Sequence, residues 1–379
     1  MMDKNNKTEF AVIAGEVSGD HHGALLVRAL RARYPGCRIW GIGGDRMISE
    51  GFEAIFHIRQ MAFLGIGEVI RHLPFIRKVM REMKALVRQR RPEAVILIDY
   101  PGFNLRFAGA MKKSAVPVIY YISPQLWAWG LGRIKKIKKL VDKLLVVFPF
   151  EVDFYRDYGI EATYVGHPLV DSHYGQVSPK TRTVTGDCTL GLMPGSRQQE
   201  LEQLLPDMLH AGNILMERKM INQILIAAVD HIPDGIYRSF TAGNHGIEIY
   251  RGPLEVFYNS LDAALVSSGT ATLETAYFQV PLVIVYRVNI LTWLLGRLLV
   301  RLPFIGLANI VAGEKVAAEL LQDEFKPERA AEMLSVLFEP ERNRLTREKL
   351  RIIRDKLGEP GASARAAGEI ESFLNAGKE

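Results

Sequence analysis

The sequence predicts an α/β protein made of two successive Rossmann-like domains facing a central cleft. Three observations predict it. Short apolar runs alternate with helix-patterned stretches over residues 10–165, the signature of parallel strands joined by crossovers. The pattern restarts at Thr189 after a polar, aperiodic stretch over 172–187, read as a linker. Each half also opens with a strand running into a glycine loop, and in such sheets ligands bind at the carboxyl ends of the strands.

In the first half, Phe10–Ala14 (FAVIA) is a strand, followed by a glycine loop and a helix from about His22 to Arg33. Arg38–Ile42 repeats the unit and ends in Gly43-Gly44-Asp45. Ala94–Ile98 (AVILI) is a buried strand with Asp99 at its carboxyl end. Pro117–Ile122, Leu144–Phe148 and Ala162–Val165 follow. In the second half, Thr189–Met193 is a strand, then a helix runs to about Arg218. Gln223–Ala228, Ile247–Tyr250, Ala263–Val266 and Leu282–Val285 are further strands, and Pro327–Ala376 is helical with a break at Gly358-Glu359-Pro360-Gly361.

At 379 residues the chain suits two domains better than one. Its 48% apolar and 24% charged content excludes a disordered, collagenous or coiled-coil chain. Cys37 and Cys188 alone make neither a disulfide framework nor a zinc site, which suits a reducing cytoplasm. The polar N-terminus MMDKNNKTEF runs straight into a strand, so no signal peptide is expected. Residues 1–180 hold 27 Lys and Arg against 17 Asp and Glu, whereas the rest hold 21 against 25. The first half therefore favours an anionic partner: nucleic acid, a phosphorylated ligand or an acidic membrane. Ser114–Gly132 is uncharged but contains two prolines, and Ile290–Ala312 is cut by Arg297 and Arg301. Neither reads as a span, so any membrane contact is expected at the surface.

Two loops in the second half suit phosphate. Pro194-Gly195-Ser196-Arg197 leads from a strand into a helix whose first N–H groups and positive dipole end favour an anion, and Arg197 adds a fixed cation. The alternative is an ordinary turn capped by Ser196. Ser267-Ser268-Gly269-Thr270 is a second small-residue loop, with Glu274 about one turn on, placed to accept hydrogen bonds from ribose hydroxyls. The alternative there is a Ser/Thr cap with Glu274 in a capping box. Two such loops without a Walker lysine favour a nucleotide-diphosphate leaving group.

In the first half, Gly15-Glu16-Val17-Ser18-Gly19-Asp20 can approach a ligand closely, or Asp20 can cap the following helix. His21 and His22, adjacent on a helix, point apart, and no Cys or third His lies nearby, so a metal is disfavoured. Asp99, before Tyr100-Pro101-Gly102-Phe103-Asn104, is a general-base candidate or a loop-structuring aspartate. Trp127 and Trp129 beside Arg133, Lys135, Lys136, Lys138 and Lys139 suit a membrane interface, an anionic lipid or nucleic acid, or else a buried aromatic anchor and a solvated face. Apolar residues from Ile66 to Val87 recur at helical spacing on a basic background interrupted by Pro74, which suits a membrane-lying or a core-facing helix. Trp293–Ile305 is similarly apolar and basic, and Asn309 after it can reach a phosphate or sugar, or structure a turn.

Taken in order, AGEVSGD, GGDRM, FLGIGEV, DYPGFN, SPQLWAW, PFE, GHP, PGSRQQE, SSGTATLE and ANIVAGE resemble the lipid-A-disaccharide synthase family, glycosyltransferases of the GT-B fold, from Ala14 to about Phe325. Ala308 stands where the family pattern has proline. The resemblance implies that UDP-2,3-diacylglucosamine and 2,3-diacylglucosamine 1-phosphate (lipid X) are joined into a β(1→6) disaccharide with release of UDP and inversion at the anomeric centre. It implies work at the cytoplasmic face of the inner membrane of a Gram-negative bacterium. Asp99 is expected as base, with Glu16 as second carboxylate. Gly195, Ser196, Arg197, Ser268, Gly269, Thr270, Glu274 and Asn309 are expected on the donor. Ser18, Asp20, Trp127, Trp129, Arg133 and Lys136 are expected on the acceptor or membrane. No Asp-x-Asp motif is present, so no metal and no cofactor are expected.

The expected domains are 1–172 with 360–379, and 187–358, the C-terminal helices packing back on the first domain or swapping into a partner to form a homodimer. The rivals are another UDP-sugar transferase acting on a lipid carrier, a UDP-sugar 2-epimerase, and a basic nucleic-acid-binding module. The last lacks any recognition motif here.

Overall fold

The computed structural model describes residues 8–61, 72–112, 114–127, 130–178, 187–243, 245–288 and 303–377. The chain divides into two compact units, residues 1–172 with 357–379, and residues 173–356.

In the first unit, the described residues form a parallel sheet of seven strands: β1 (Glu9–Ala14), β2 (Arg38–Gly43), β3 (Glu53–His57), β4 (Ala94–Ile98), β5 (Val118–Tyr121), β6 (Lys143–Val146) and β7 (Ala162–Tyr164). Their order is β3-β2-β1-β4-β5-β6-β7. Helices cover both faces, which is why β1 and β4 read as unbroken apolar runs rather than alternating ones. The strand order reverses between β1 and β4. Ala14 pairs with Ile98, so the two loops leaving these strands emerge side by side at the crevice where such sheets bind ligands.

The described part of the basic amphipathic segment is the helix Leu73–Arg90. It buries Val79, Met83 and Val87, spaced four apart, in the core of this unit and turns Arg77, Arg81 and Arg88 to solvent. That spacing makes it a core-packing helix and corrects the membrane-lying reading for these residues. Ile66, Val69, Ile70 and Arg71 lie outside the described residues, with the FLGIGEV motif and Met61's apolar neighbours.

The helix Ala362–Ala376 packs on the helix Val17–Arg33, joined to it by an Arg33–Glu371 ion pair of 2.6 Å. The Asp171 carboxylate accepts from the N–H groups of Gly361, Ala362 and Ser363 at 2.6, 3.0 and 2.8 Å. These are the donors a helix start leaves unpaired, so the expected return of the C-terminal helix is held by a cap supplied from across the chain.

In the second unit, the described strands are β8 (Thr189–Met193), β9 (Gln223–Ala227), β10 (Ile247–Tyr250), β11 (Ala263–Ser267), β12 (Leu282–Tyr286) and β13 (Ala318–Leu321). They form a parallel sheet in the order β10-β9-β8-β11-β12-β13. The order reverses between β8 and β11, where Met193 pairs with Val266. Residues 179–186 of the expected linker and 289–302 of the second apolar-basic stretch lie outside the described residues.

Candidate active site

In the first unit, Glu16 and Asp99 stand on the two loops at the strand-order reversal. Glu16 is the N-cap residue of the helix Val17–Arg33. Gly15 before it has no room for a side chain, because a Cβ there would run into the Tyr100 ring. Asp99 and Tyr100 both adopt the left-handed conformation, with φ of 44° and 46°. For residues with a Cβ this costs on the order of 1–3 kcal/mol each and persists only where the surroundings enforce it.

The enforcing contacts are visible. The Asn104 amide donates to the carbonyls of Ile98 at 3.1 Å and Asp99 at 2.7 Å. The Tyr120 hydroxyl donates to the same Asp99 carbonyl at 2.6 Å, and Asp99 N–H donates to Tyr121 O at 3.2 Å. Pro101 then starts the next helix with its fixed φ. Burial pushes the Asp99 carboxyl up to about 7, and the neighbouring Glu16 charge adds to the shift while the Tyr100 N–H opposes it. A carboxyl so placed exchanges its proton near neutrality, the range in which a general base works best. Burial, then the Asp99 charge and Tyr155, likewise push the Tyr120 hydroxyl well up, opposed first by a hydrogen bond from the Asn104 side chain and then by the Arg133 charge.

The other first-unit candidates divide. Ser18 lies half-buried in the first turn after Glu16. Asp20 is buried, and its carboxylate accepts from the N–H groups of Gly44, Arg46 and Met47 at 2.7, 3.1 and 3.1 Å. It caps the neighbouring helix Asp45–Ser49 rather than its own, and its oxygens are taken up inside the fold, which corrects its placement on the acceptor. Trp127 is half-buried and held as an aromatic anchor. Its indole N–H donates to the buried Glu151 at 3.1 Å, and its ring packs 5.1 Å from Phe150. Glu151 also accepts from Ser123 Oγ at 2.7 Å and from the N–H groups of Val147 and Phe148. Arg133 is half-buried at the N-cap of the helix Ile134–Leu140, and Lys136 is exposed on that helix. Trp129 lies outside the described residues.

In the second unit, both phosphate-type loops leave the adjacent strands β8 and β11 at that sheet's own reversal. Gly195 has φ of 120°, and a Cβ there would collide with the Glu200 carboxylate. Ser196 is exposed. Arg197, not Ser196, is the N-cap residue of the helix Gln198–Glu217, without a side-chain cap, and its Nη1 donates to Glu200 Oε1 at 2.9 Å. Ser268 and the exposed Gly269 precede the helix Thr270–Tyr277, whose first-turn N–H groups face the loop. Ser268 Oγ donates weakly to Ile305 O at 3.4 Å. Glu274 makes no capping box. One of its oxygens accepts from the buried Tyr258 hydroxyl at 3.1 Å.

Asn309 is corrected. It is fully buried, its amide donates to Ala317 O and Glu319 at 2.9 and 2.8 Å, and its oxygen accepts from Val316 and Ala317 N–H. That uses both donors and both lone pairs, so Asn309 structures the turn. Among the described residues no group of three His, Cys, Asp or Glu could hold a metal ion.

Asn104, Tyr120, Glu151 and Tyr258 are the residues sequence reasoning missed. Asn104 stands in the quoted motif but without an assigned role. Tyr120 looks like any strand aromatic, and nothing local marks it.

A family model described as lipid-A-disaccharide synthetase matches residues 10–367. The lipid-A-disaccharide synthase of Syntrophus aciditrophicus (strain SB) is 43% identical over 364 residues, covering 94% of this chain and 95% of that protein. That of Myxococcus xanthus (strain DK1622) is 40% identical over 384 residues, covering 98% and 99%. Among solved structures, the calicheamicin glycosyltransferase CalG4 superposes with a TM-score of 0.63 at 16% identity, covering 98% of this chain and 100% of that one, a likeness of fold alone.

Proposed function

The chain belongs to the lipid-A-disaccharide synthase family, GT-B glycosyltransferases, and from that premise we propose that its donor is UDP-2,3-diacylglucosamine and its acceptor 2,3-diacylglucosamine 1-phosphate. Asp99 takes the proton of the acceptor 6-hydroxyl. The oxygen attacks the anomeric carbon on the face opposite UDP, the bond to UDP breaks, and the α-linked donor becomes a β-linked product. Glu16 orients the hydroxyl and, as a second negative charge, keeps Asp99 proton-avid. Gly195, Ser196, Ser268, Gly269 and Thr270 bring backbone N–H groups and hydroxyls to the diphosphate. Arg197 offsets the charge building on it, exchanging Glu200 for phosphate, and Glu274 holds the ribose with the carboxylate that Tyr258 orients.

The observation that carries this reading is the Asp99 carboxyl itself: raised to about 7, on a strained turn, at the strand-order reversal beside Glu16. Ser18, Arg133 and Lys136 are assigned to the acceptor phosphate and the anionic membrane surface. Among the described residues no helix is long and apolar enough to cross a membrane. The acyl chains are assigned to surface contact at the cytoplasmic face of the inner membrane. A dimer through the C-terminal region is part of the same proposal.

The test is disaccharide formation from UDP-2,3-diacylglucosamine and radiolabelled acceptor with EDTA present. Wild type should turn over, and Asp99→Asn should lose at least about a hundredfold, the low end of general-base effects. Full activity in Asp99→Asn moves the base elsewhere. No wild-type product, in detergent or lipid, overturns the substrate assignment.

A further inference from the structure

We propose that Asn104 and Tyr120 are positioning residues that hold the Asp99 carboxylate in its reactive place by gripping the backbone carbonyls on which it is built. The inference rests on the assignment of Asp99 as base.

Neither residue can touch a substrate, because both are fully buried with no exposed surface. Their polar atoms meet at one point. The Asp99 carbonyl receives the Asn104 amide at 2.7 Å and the Tyr120 hydroxyl at 2.6 Å, while the same amide nitrogen reaches Ile98 O at 3.1 Å. Both carbonyls face amide donors, so the amide's orientation is dictated: flipped, its oxygen would face two oxygens. In this orientation Asn104 Oδ1 is buried without a hydrogen-bond partner among the described residues. A buried acceptor left unmade is unfavourable, so a pure packing role would be filled better by an apolar side chain. The Asn104 donors are what the site retains.

What they grip is a pair of left-handed residues, Asp99 and Tyr100, that an unrestrained chain would leave. The carboxylate built on this turn lies within reach of the Glu16 charge. Relaxation would swing the carboxylate out of this enclosure. A displacement of about 1 Å at a reacting group costs on the order of a hundredfold in rate.

Asn104→Ala and Tyr120→Phe are assayed with UDP-2,3-diacylglucosamine and 2,3-diacylglucosamine 1-phosphate beside wild type and Asp99→Asn. We expect Asn104→Ala to lose roughly a hundredfold in kcat and Tyr120→Phe roughly tenfold, with KM for both substrates held within about threefold. The acid limb of kcat/KM should move down by about one pH unit or more as Asp99 leaves its buried, like-charged surroundings. A general structural defect would not move that limb. If Asn104→Ala does not fold, Tyr120→Phe, which keeps the ring and removes one hydroxyl, decides by the same limb shift. Wild-type kcat and an unmoved limb in the folded variants, with Asp99→Asn inactive, overturn the clamp and spare the base. A near-wild-type Asp99→Asn overturns the base assignment instead, and the clamp with it.

Discussion

With Asp99 as the proposed base, folding and catalysis pull on the same proton. In the folded chain desolvation, with the Glu16 charge beside it, raises the Asp99 carboxyl to about 7; in the unfolded chain it titrates near 4. Between about pH 4 and pH 7 the folded state therefore binds the extra proton, and the free energy of unfolding falls as pH rises through that window. Asp99→Asn removes this dependence. Urea titrations should show the variant gaining on wild type between pH 4 and pH 8; a constant difference would mean that Asp99 is not raised. His167 has the opposite sign. Burial lowers it to about 3, and its Nδ1 accepts from Leu169 N–H at 3.1 Å, so stability is lost as pH falls from about 6.5 toward 3. At this scale Asp99 and Glu16 were legible in the sequence, since a carboxylate after a buried strand or in a glycine loop is a local signal. Asn104 and Tyr120 were not, because what they hold is a carbonyl that the sequence does not display. Asp20 and Asn309 carried site-like patterns, yet their polar atoms are consumed by backbone groups brought near only by folding.

Among the elements, the reversals of strand order matter most. The β1–β4 and β8–β11 pairs each deliver two loops to one point, and Gly15 and Gly195 there are close-approach positions. The run Ser123 to Trp127 shows a different device: a buried carboxylate, Glu151, fixes a loop through four donors. Glu151→Gln would turn one acceptor oxygen into a donor facing N–H or O–H groups. It should lower stability by about 1–3 kcal/mol, read by urea unfolding, where an unchanged midpoint would sink the clamp. Central strands were readable because both faces are buried and the run is apolar. The edge strands β3 (EAIFH) and β13 (AELL) were missed, whereas β10 (IEIY), also charged and at an edge, was read. The helix Val17–Arg33 begins five residues before its predicted start, since Ser18, Gly19 and Asp20 resemble loop.

For the whole molecule, the division into units is unequal in sequence. Residues 173–356 are one continuous stretch, whereas the first unit needs residues 357–379 as well. The alternation of strands and helices made two sheets legible, but no local pattern tied the last helix to the first. Truncation after Lys356 should leave the UDP binding proposed for the second unit within about threefold of the full chain, since it removes no group at that loop pair. It should also bare the face of Val17–Arg33 and lower the first unit's melting temperature; equal melting of both proteins would show the terminal helix to be dispensable.

The Asp171 cap on that helix gives the chain a schedule. A ribosome emits Asp171 long before the N–H groups of Gly361 to Ser363 that it must receive. At about 5–20 residues per second the wait is roughly 10–40 s. During it the second unit can fold, while the first unit waits for residues 357–379. A nascent chain stalled before residue 357 would be a molecule with its second unit complete and the cap on its last helix not yet made.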